Sequence, residues 1–207
     1  MKPKKIKNIF LITLLSLIFK VSAQENDISS DLKWRNIGPA NMMGRIAAID
    51  ASNKDYRKVL IASASGGVFK SDNGGITWES IFDNYGAGSI GSVKFDQNNL
   101  NTIWVGTGES ANRNSSAWGD GIYKSVDGGK TFKNMGLKST HQIAEIEIHP
   151  KNPDIVYAAA VGHLWGYSGD RGLFMTKDGG SSWNRVEGGL PNDGKTGCTE
   201  IIFHPEN

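Results

Sequence analysis

Two carboxylates stand at the ends of one polar segment, and they are the first residues in this sequence that could do chemistry. Glu109 and Asp120 flank the segment, and Arg113 and Trp118 lie between them. Glycoside hydrolysis uses a pair of carboxyl groups, one acting as an acid and the other as a base or a nucleophile. Glu109 and Asp120 are therefore the candidate catalytic residues.

A second set of residues suits binding better than catalysis. Aromatic rings with polar groups around them are suited to the recognition of a sugar or a peptide. The candidate ligand-binding residues are Arg45, Arg113, Trp118, His141, His163, Trp165 and Arg171. The alternative for Trp118 and Trp165 is that they only cover the ends of repeated structural units.

The histidines and the single cysteine do not predict a bound metal. His141 and His163 could meet on one face, but two histidines fall short of the three or four protein ligands of zinc sites. Cys198 is the only cysteine in the sequence, so the chain has no internal disulfide. We predict neither a metal nor another cofactor.

An internal repeat supplies the elements that must position these residues. One eight-residue motif, called the turn motif, occurs at residues 71–78, 125–132 and 176–183. Its third residue is Asn73, Asp127 or Asp178, and these positions are 54 and then 51 residues apart. That period is typical of the four-stranded blades of a β-propeller.

The third residue of the turn motif is predicted to be structural. A short acidic or amide side chain accepts hydrogen bonds from backbone N–H groups within a turn, and glycines take φ values that other residues resist. No turn motif pairs its carboxylate with the second titratable group that acid/base catalysis requires. We therefore predict that Asn73, Asp127 and Asp178 cap turns, and that the final Trp or Phe of each motif anchors the outer strand in the blade core.

Strand patterns surround each turn motif in the order inner, middle, third and outer strand. Apolar and polar residues alternate in the third strands, and apolar runs mark the buried middle strands. The third strands are predicted at 67–71, 121–125 and 172–176, and the middle strands at 59–62, 102–106 and 155–161. Inner strands are predicted at 45–50, 89–96 and 143–149, and a further one at 200–204.

The fold class that follows is all-β, an incomplete β-propeller of about three four-stranded blades. Residues 34–38 match the outer strands without a blade before them, and residues 200–204 match an inner strand without a blade after them. We read these as an orphan closing strand and the first strand of a fourth blade. Closed propellers use about four to eight blades, so we expect the chain to be the N-terminal piece of a longer protein.

The repeat also places the candidate residues on one face. In a propeller, loops that join second to third strands, and loops that join one blade to the next, emerge together beside the channel. Glu109, Arg113, Trp118 and Asp120 lie in one such loop of the middle blade. Their counterparts, in loops of the same two kinds, are Arg45, His141, His163, Trp165 and Arg171.

The turn motif resembles the Asp box of sialidases, of xyloglucan-hydrolysing endoglucanases and of the Vps10 domain of sortilin-type receptors. The chain beyond its first residues is also similar to large bacterial exported proteins with a sortilin-like N-terminal propeller, often called BNR-repeat or glycosyl-hydrolase-like. That second resemblance rests on residues 34–40, 44–46, 65–68, 106–109, 116–121, 152–157 and 162–166. It implies an exported propeller without establishing a reaction.

Two enzyme activities can be weighed against these resemblances. Sialidases bind a carboxylate with three arginines, and Arg45, Arg113 and Arg171 lie one per blade, but a sialidase also needs residues from blades that are absent here. Xyloglucanases carry a catalytic Asp at the end of the first blade's second strand, where this sequence has Ala64. We therefore predict a module that binds a peptide or glycan. A glycoside hydrolase with carboxylates in the missing blades, or a purely structural propeller, remains the alternative.

The first residues predict export. Four lysines precede an apolar run at residues 9–19, and small residues follow at 21–23, as in a secretory signal peptide. This gives a leader at 1–23 and a propeller domain at 24–207, with the apolar run too short to span a bilayer. The chain after the leader holds 18 basic and 21 acidic residues, which argues against a nucleic-acid partner.

Overall fold

The described residues form three antiparallel sheets that follow one another in the chain. The computed structural model describes residues 44–167 and 170–204. Each sheet has four strands in sequential order, which confirms the predicted all-β architecture of blades. The predicted leader at 1–23 and the predicted closing strand at 34–38 lie outside the described residues.

Each sheet is one blade, and its strands are numbered in chain order. Blade 1 contains β1 Ile46–Ala51, β2 Val59–Ser63, β3 Gly67–Ser71 and β4 Glu79–Ser80. Blade 2 contains β5 Ile90–Asp96, β6 Asn99–Thr107, β7 Ile122–Ser125 and β8 Lys133–Gly136. Blade 3 contains β9 Ile143–Ile148, β10 Val156–Ala160, β11 Gly172–Thr176 and β12 Asn184–Arg185.

Helical structure is confined to one turn in the described part of the chain. The 3-10 turn Lys138–Thr140 lies between β8 and β9. Among the described residues, no helix has the length and apolar composition needed to cross a bilayer.

The core lies between the blades because each sheet buries apolar side chains against its neighbour. One cluster joins blades 1 and 2 and includes Leu60, Val68, Phe82, Val93 and Ile103. A second cluster joins blades 2 and 3 and includes Trp104, Ile122, Ile143, Ile146 and Val156. A middle strand such as β6 is covered on both faces, which explains why its sequence is a continuous apolar run rather than an alternating one.

Neighbouring blades are also joined by a lysine contact that repeats. Lys70 of β3 donates from Nζ to the carbonyl oxygen of Gly128 at 3.2 Å, and Lys124 of β7 donates to the carbonyl oxygen of Gly179 at 3.1 Å. Each acceptor is the fourth residue of the next blade's turn motif. Met175 occupies the equivalent position in β11, so blade 3 lacks this donor.

The final aromatic residue of the turn motif packs against the preceding blade. Phe132 contacts Phe82 with ring centroids 5.1 Å apart, and Trp183 donates from Nε1 to the carbonyl oxygen of Met135 at 2.9 Å. Phe132 belongs to the core cluster shared by blades 1 and 2, and Trp183 packs against the cluster shared by blades 2 and 3, so the predicted anchoring extends to the preceding blade. Trp78 has no preceding blade within the described residues, and it stays 37% exposed.

The segment predicted as the first strand of a fourth blade forms no strand. Residues 200–204 lie beside blade 3, where Phe203 contacts His149 and Tyr157 with ring centroids 5.5 and 5.6 Å apart. Cys198 just before them donates its N–H to the carbonyl oxygen of Ala160 at 3.0 Å. A β-strand requires a ladder of backbone hydrogen bonds to a neighbouring strand. Among the described residues, no strand forms such a ladder with residues 200–204.

Candidate functional site

Loops of blades 2 and 3 meet the segment between these blades at one end of the sheets. The N–H of Gly119 donates to the carbonyl oxygen of His141 at 2.7 Å, and the N–H of Val161 donates to the carbonyl oxygen of Gln142 at 3.0 Å. These bonds tie loops of blades 2 and 3 to the segment between them. The name loop face is used for residues 64–66, 81–89, 108–121, 137–142, 161–167 and 170–171.

An indole and two imidazoles form the centre of the loop face. The ring centroid of Trp118 lies 5.1 Å from that of His141 and 4.7 Å from that of His163. The two imidazole centroids are 5.1 Å apart. Trp118 remains 55% exposed. We call these three side chains the Trp–His cluster, and it unites three of the predicted ligand-binding residues from three separate loops.

Close backbone packing fixes the Trp–His cluster in place. A Cβ atom at Gly108 would collide with the carbonyl oxygen of His141, and a Cβ at Gly119 would collide with Thr107. Gly108 has a φ of 88°, and His141 itself has a φ of 57°. A positive φ costs about 1 kcal/mol or more for a residue with a side chain. The backbone around His141 is therefore held by its surroundings rather than by its own preference.

A buried amide lies directly after His141. The side chain of Gln142 is fully buried, and neither its Oε1 nor its Nε2 has a hydrogen-bond partner. Such groups are uncommon in folded proteins and cost about 1–3 kcal/mol each. The base of the Trp–His cluster thus combines the unfavourable backbone conformation of His141 with the unsatisfied amide of Gln142. Local features that lower stability are common at functional sites.

Glu109, the first candidate catalytic residue, is buried and paired. Its carboxylate forms an ion pair with the guanidinium of Arg45, whose side chain is 37% exposed while that of Glu109 is 3% exposed. The N–H of Glu109 donates to Oγ of Ser89 at 3.0 Å, and this hydroxyl donates to the carbonyl oxygen of Ala117 at 3.1 Å. The pair therefore lies beside the residue that precedes Trp118.

Asp120, the second candidate catalytic residue, is also engaged. Its Oδ2 accepts a hydrogen bond from the hydroxyl of Tyr123 at 2.5 Å, and its N–H donates to Oγ1 of Thr107 at 2.8 Å. Burial, together with the hydrogen bond to Asp120, raises the pKa of Tyr123. A raised pKa makes the phenolate harder to form, so Tyr123 is poorly suited to act as a nucleophile.

The two remaining arginines have different surroundings. Arg113 donates from Nε and Nη2 to Oγ of Ser115 at 3.0 and 2.6 Å, and it stays exposed. Arg171 is buried and donates to the carbonyl oxygens of Val161 at 2.9 Å and of His163. We therefore assign Arg171 a positioning role, since it holds the loop that presents His163.

Two more aromatic residues extend the exposed surface of the loop face on blade 3. Trp165 and Tyr167 are both largely exposed. The ammonium group of Lys195 lies 5.1 Å from the ring centroid of Tyr167, which connects this loop to the segment after blade 3. Trp165 is thus placed where a ligand on the loop face can reach it.

The third residues of the turn motifs lie between the third and outer strands, away from the Trp–His cluster. Oδ1 of Asn73, Asp127 and Asp178 accepts the N–H of the residue four positions later, at 2.9 Å in each motif. Hydrogen bonds from Ser182 and Thr176 lower the pKa of Asp178 to about 2. All three side chains therefore have their acceptors occupied within the turn.

Sequence reasoning missed a charged row on the inner strands. Asp50, Lys94 and Glu147 occupy the same register position in β1, β5 and β9. Lys94 Nζ lies 2.8 Å from Glu147 and 3.2 Å from Glu145. Burial opposes the charge of Lys94, but the hydrogen bond and charge of Glu147 outweigh it and raise the pKa of Lys94. Aligning the inner strands by register would have revealed this row.

The row lines a cavity of about 420 Å³ at the ends of the inner strands. Burial raises the pKa of Asp50, although its Oδ2 accepts the N–H of Phe95 at 2.7 Å. The cavity walls also include His149 and Phe203. Within the described residues, no three side chains of the histidine, cysteine or acidic types are arranged to hold a metal ion.

Similar folds occur among solved structures. The chain aligns with an ancestral GH74 enzyme at a TM-score of 0.54 and 20% identity, covering 72% of this chain and 19% of that one. It aligns with the GH74 xyloglucanase from Xanthomonas campestris at a TM-score of 0.49 and 16% identity, covering 69% and 20%. It aligns with YCF48 bound to D1 peptide at a TM-score of 0.47 and 18% identity, covering 69% and 40%.

These similarities concern the fold. The ancestral GH74 enzyme supports a β-propeller architecture for the three blades, and at 20% identity it supports nothing finer. The chain spans about a fifth of the length of the GH74 structures it matches. No family model and no curated protein matches the chain.

Proposed function

We propose that this chain is part of an exported β-propeller that captures a glycan or a peptide on its loop face without cleaving it. The observation that carries the proposal is the Trp–His cluster, in which a 55% exposed indole packs beside two imidazoles from neighbouring loops. An exposed aromatic side chain with polar groups at its edge is suited to recognition rather than to packing.

The rigidity of the Trp–His cluster supports a binding role. Gly108 packs against the backbone of His141 and Gln142, and Gly119 packs against Thr107 and Gly108, so closely that neither glycine has room for a Cβ atom. Because the loops are fixed by these contacts, a ligand does not have to order them on binding. Preorganisation of this kind lowers the entropic cost of association.

The carboxylates on the loop face favour binding over hydrolysis. Glu109 is buried in an ion pair with Arg45, and Asp120 accepts the hydroxyl of Tyr123. Ala64, which stands where xyloglucanases have a catalytic Asp, is fully buried. Glycoside hydrolysis needs two available carboxyl groups, and both candidate catalytic carboxylates, Glu109 and Asp120, are already engaged.

We also propose that the protein is exported and that it contains further blades. The leader pattern at residues 1–23 and the resemblance to exported BNR-repeat proteins with a sortilin-like propeller support an extracytoplasmic location. Since the chain spans only a fraction of the propeller structures that it matches, we propose that further blades complete the ring in the whole protein. The hydrogen-bonded turns at Asn73, Asp127 and Asp178 support the resemblance of the chain to Asp-box propellers.

The proposal is tested by measuring capture and turnover together. The full chain is incubated with xyloglucan, sialosides, mixed plant and host glycans and a peptide library, and bound ligand, new reducing ends and released sialic acid are measured. Capture without product is expected. The proposal would be contradicted if product formed and if Glu109→Gln or Asp120→Asn abolished its formation while binding was retained. The protein would then be a glycoside hydrolase.

A further inference from the structure

We propose that the loop face selects glycans that carry carboxylate groups, such as oligomers of uronic acids. This inference rests on the proposed capture function and names its ligand class. The juxtaposition that carries it is an exposed indole beside two imidazoles, in a loop where Arg113 contacts only a serine hydroxyl while the carboxylates of Glu109 and Asp120 are already engaged.

The two carboxylates in the loop that carries Trp118 are used internally. Glu109 is neutralised by Arg45, and Oδ2 of Asp120 is taken by the Tyr123 hydroxyl. Two further acids lie on this face: Asp83, whose Oδ1 accepts a hydrogen bond from the hydroxyl of Ser80, and Asp170, which is next to the buried Arg171. Glu109 and Asp120 are therefore already engaged when a ligand reaches Trp118.

Donors and positive charges remain available. Arg113 binds only a neutral serine hydroxyl, and within the described residues it forms no ion pair. The exposed side of Arg45 and the imidazoles of His141 and His163 add further donors. Hydrogen bonds between such donors and a carboxylate are charge-assisted and about twice as strong as neutral ones.

The shape of the site favours a glycan over a peptide. The indole of Trp118 and the ring of Trp165 are flat exposed surfaces on which the apolar face of a sugar ring can lie. A peptide that binds as an added β-strand needs a free strand edge, and the described loop residues at 108–121, 161–167 and 170–171 contain no strand. An acidic glycan fits both the donors and the flat rings.

A matched ligand pair tests this inference on the full chain. Affinity is measured for oligogalacturonates and oligoglucuronates of three to six residues, for their methyl esters and for a poly-glutamate peptide, within the same array that contains neutral glycans. We expect the free acids to bind at least tenfold more tightly than their methyl esters, and this difference to shrink with added salt. Arg113→Gln should weaken only the acids, whereas Lys133→Gln on the outer strand β8 should change nothing.

Each outcome has a distinct meaning. Methyl esters or neutral glycans that bind as tightly as the acids would overturn the charge selection while leaving capture intact. Tighter binding of poly-glutamate than of any uronate would overturn the choice of a glycan. Absence of binding to every member of the array would overturn the proposed capture function and this inference with it.

Discussion

The backbone N–H of Gly119 donates to the carbonyl oxygen of His141 across 2.7 Å. This bond fixes the loop that carries Trp118 to the segment between blades 2 and 3, so the position of the indole is set by the backbone. In this arrangement His141 has a positive φ of 57°, which is unfavourable for a residue with a side chain. The site is therefore built into the junction of two blades rather than onto a free loop.

Substitution of Gly119 by alanine should damage the site. A Cβ at this position would collide with Thr107 and with the backbone of Gly108, so the loop must move and Trp118 with it. We expect a loss of about 1–3 kcal/mol in the free energy of unfolding, together with weaker ligand capture. Gly88→Ala is the matched control, because a Cβ at Gly88 meets nothing within 4 Å. Equal stability of the two variants would contradict the packing argument.

Replacement of the buried amide should be tolerated. Gln142→Leu removes two buried polar atoms that have no hydrogen-bond partner and keeps a side chain of similar size. We expect the denaturant midpoint to stay the same or to rise, because an unsatisfied buried group costs about 1–3 kcal/mol. A clear fall in the midpoint would mean that the amide makes an essential interaction.

The lysine contact between blades should contribute measurably to stability. Lys124 donates to Gly179 at 3.1 Å, and its ammonium lies 4.8 Å from the Trp104 ring centroid. Lys124→Met introduces the residue that blade 3 has at this position, and we expect a cost of about 1–2 kcal/mol in chemical denaturation. Lys133→Met on the exposed face of β8 serves as the control, and a similar loss there would argue against a specific contact.

The acidic turn residues predict a defined loss of stability at low pH. The pKa of Asp178 is lowered from 3.8 to about 2 and that of Asp127 is also lowered, in both cases by hydrogen bonds within the turn. Since the folded-state pKa values are depressed, this stabilisation is present above about pH 4 and is lost as the pH falls toward about 2. The difference in stability between the wild-type protein and the Asp127→Asn/Asp178→Asn variant should shrink over that range.

Asn73 provides the internal reference for this titration. Its Oδ1 accepts the N–H of Thr77 at 2.9 Å, so an amide supports the same turn without a titratable group. The double variant should therefore remain folded. A difference from the wild-type protein that does not change between pH 4 and pH 2 would show that the turn carboxylates contribute no pH-dependent stability.

The sequence predicted the blades well because their signals are local. The repeat period, the alternation in β3 and the apolar run in β6 all report on single strands, and each falls within a few residues of its predicted place. The contacts of Phe132 and Trp183 with the preceding blade could not be read in this way, because they depend on which faces of two sheets meet.

The site was predicted in part. Loop position alone indicated that Trp118, His141 and His163 share one face, and the structure brings their rings to within about 5 Å of one another. The burial of Arg171 and the pairing of Glu109 with Arg45 were not foreseeable. Loop segments carry no periodic pattern, so nothing in the sequence distinguishes a side chain that points to solvent from one that turns inward.

The most direct test is the affinity of the full chain for its best glycan or peptide ligand from the array, compared between Trp118→Ala and Trp78→Ala. Both variants remove a partly exposed indole, but only Trp118 belongs to the Trp–His cluster. We predict that Trp118→Ala weakens binding by about 1–3 kcal/mol and that Trp78→Ala leaves it unchanged. Unchanged binding in Trp118→Ala, an equal loss in both variants, or no binding by the wild-type chain would contradict ligand capture on the loop face.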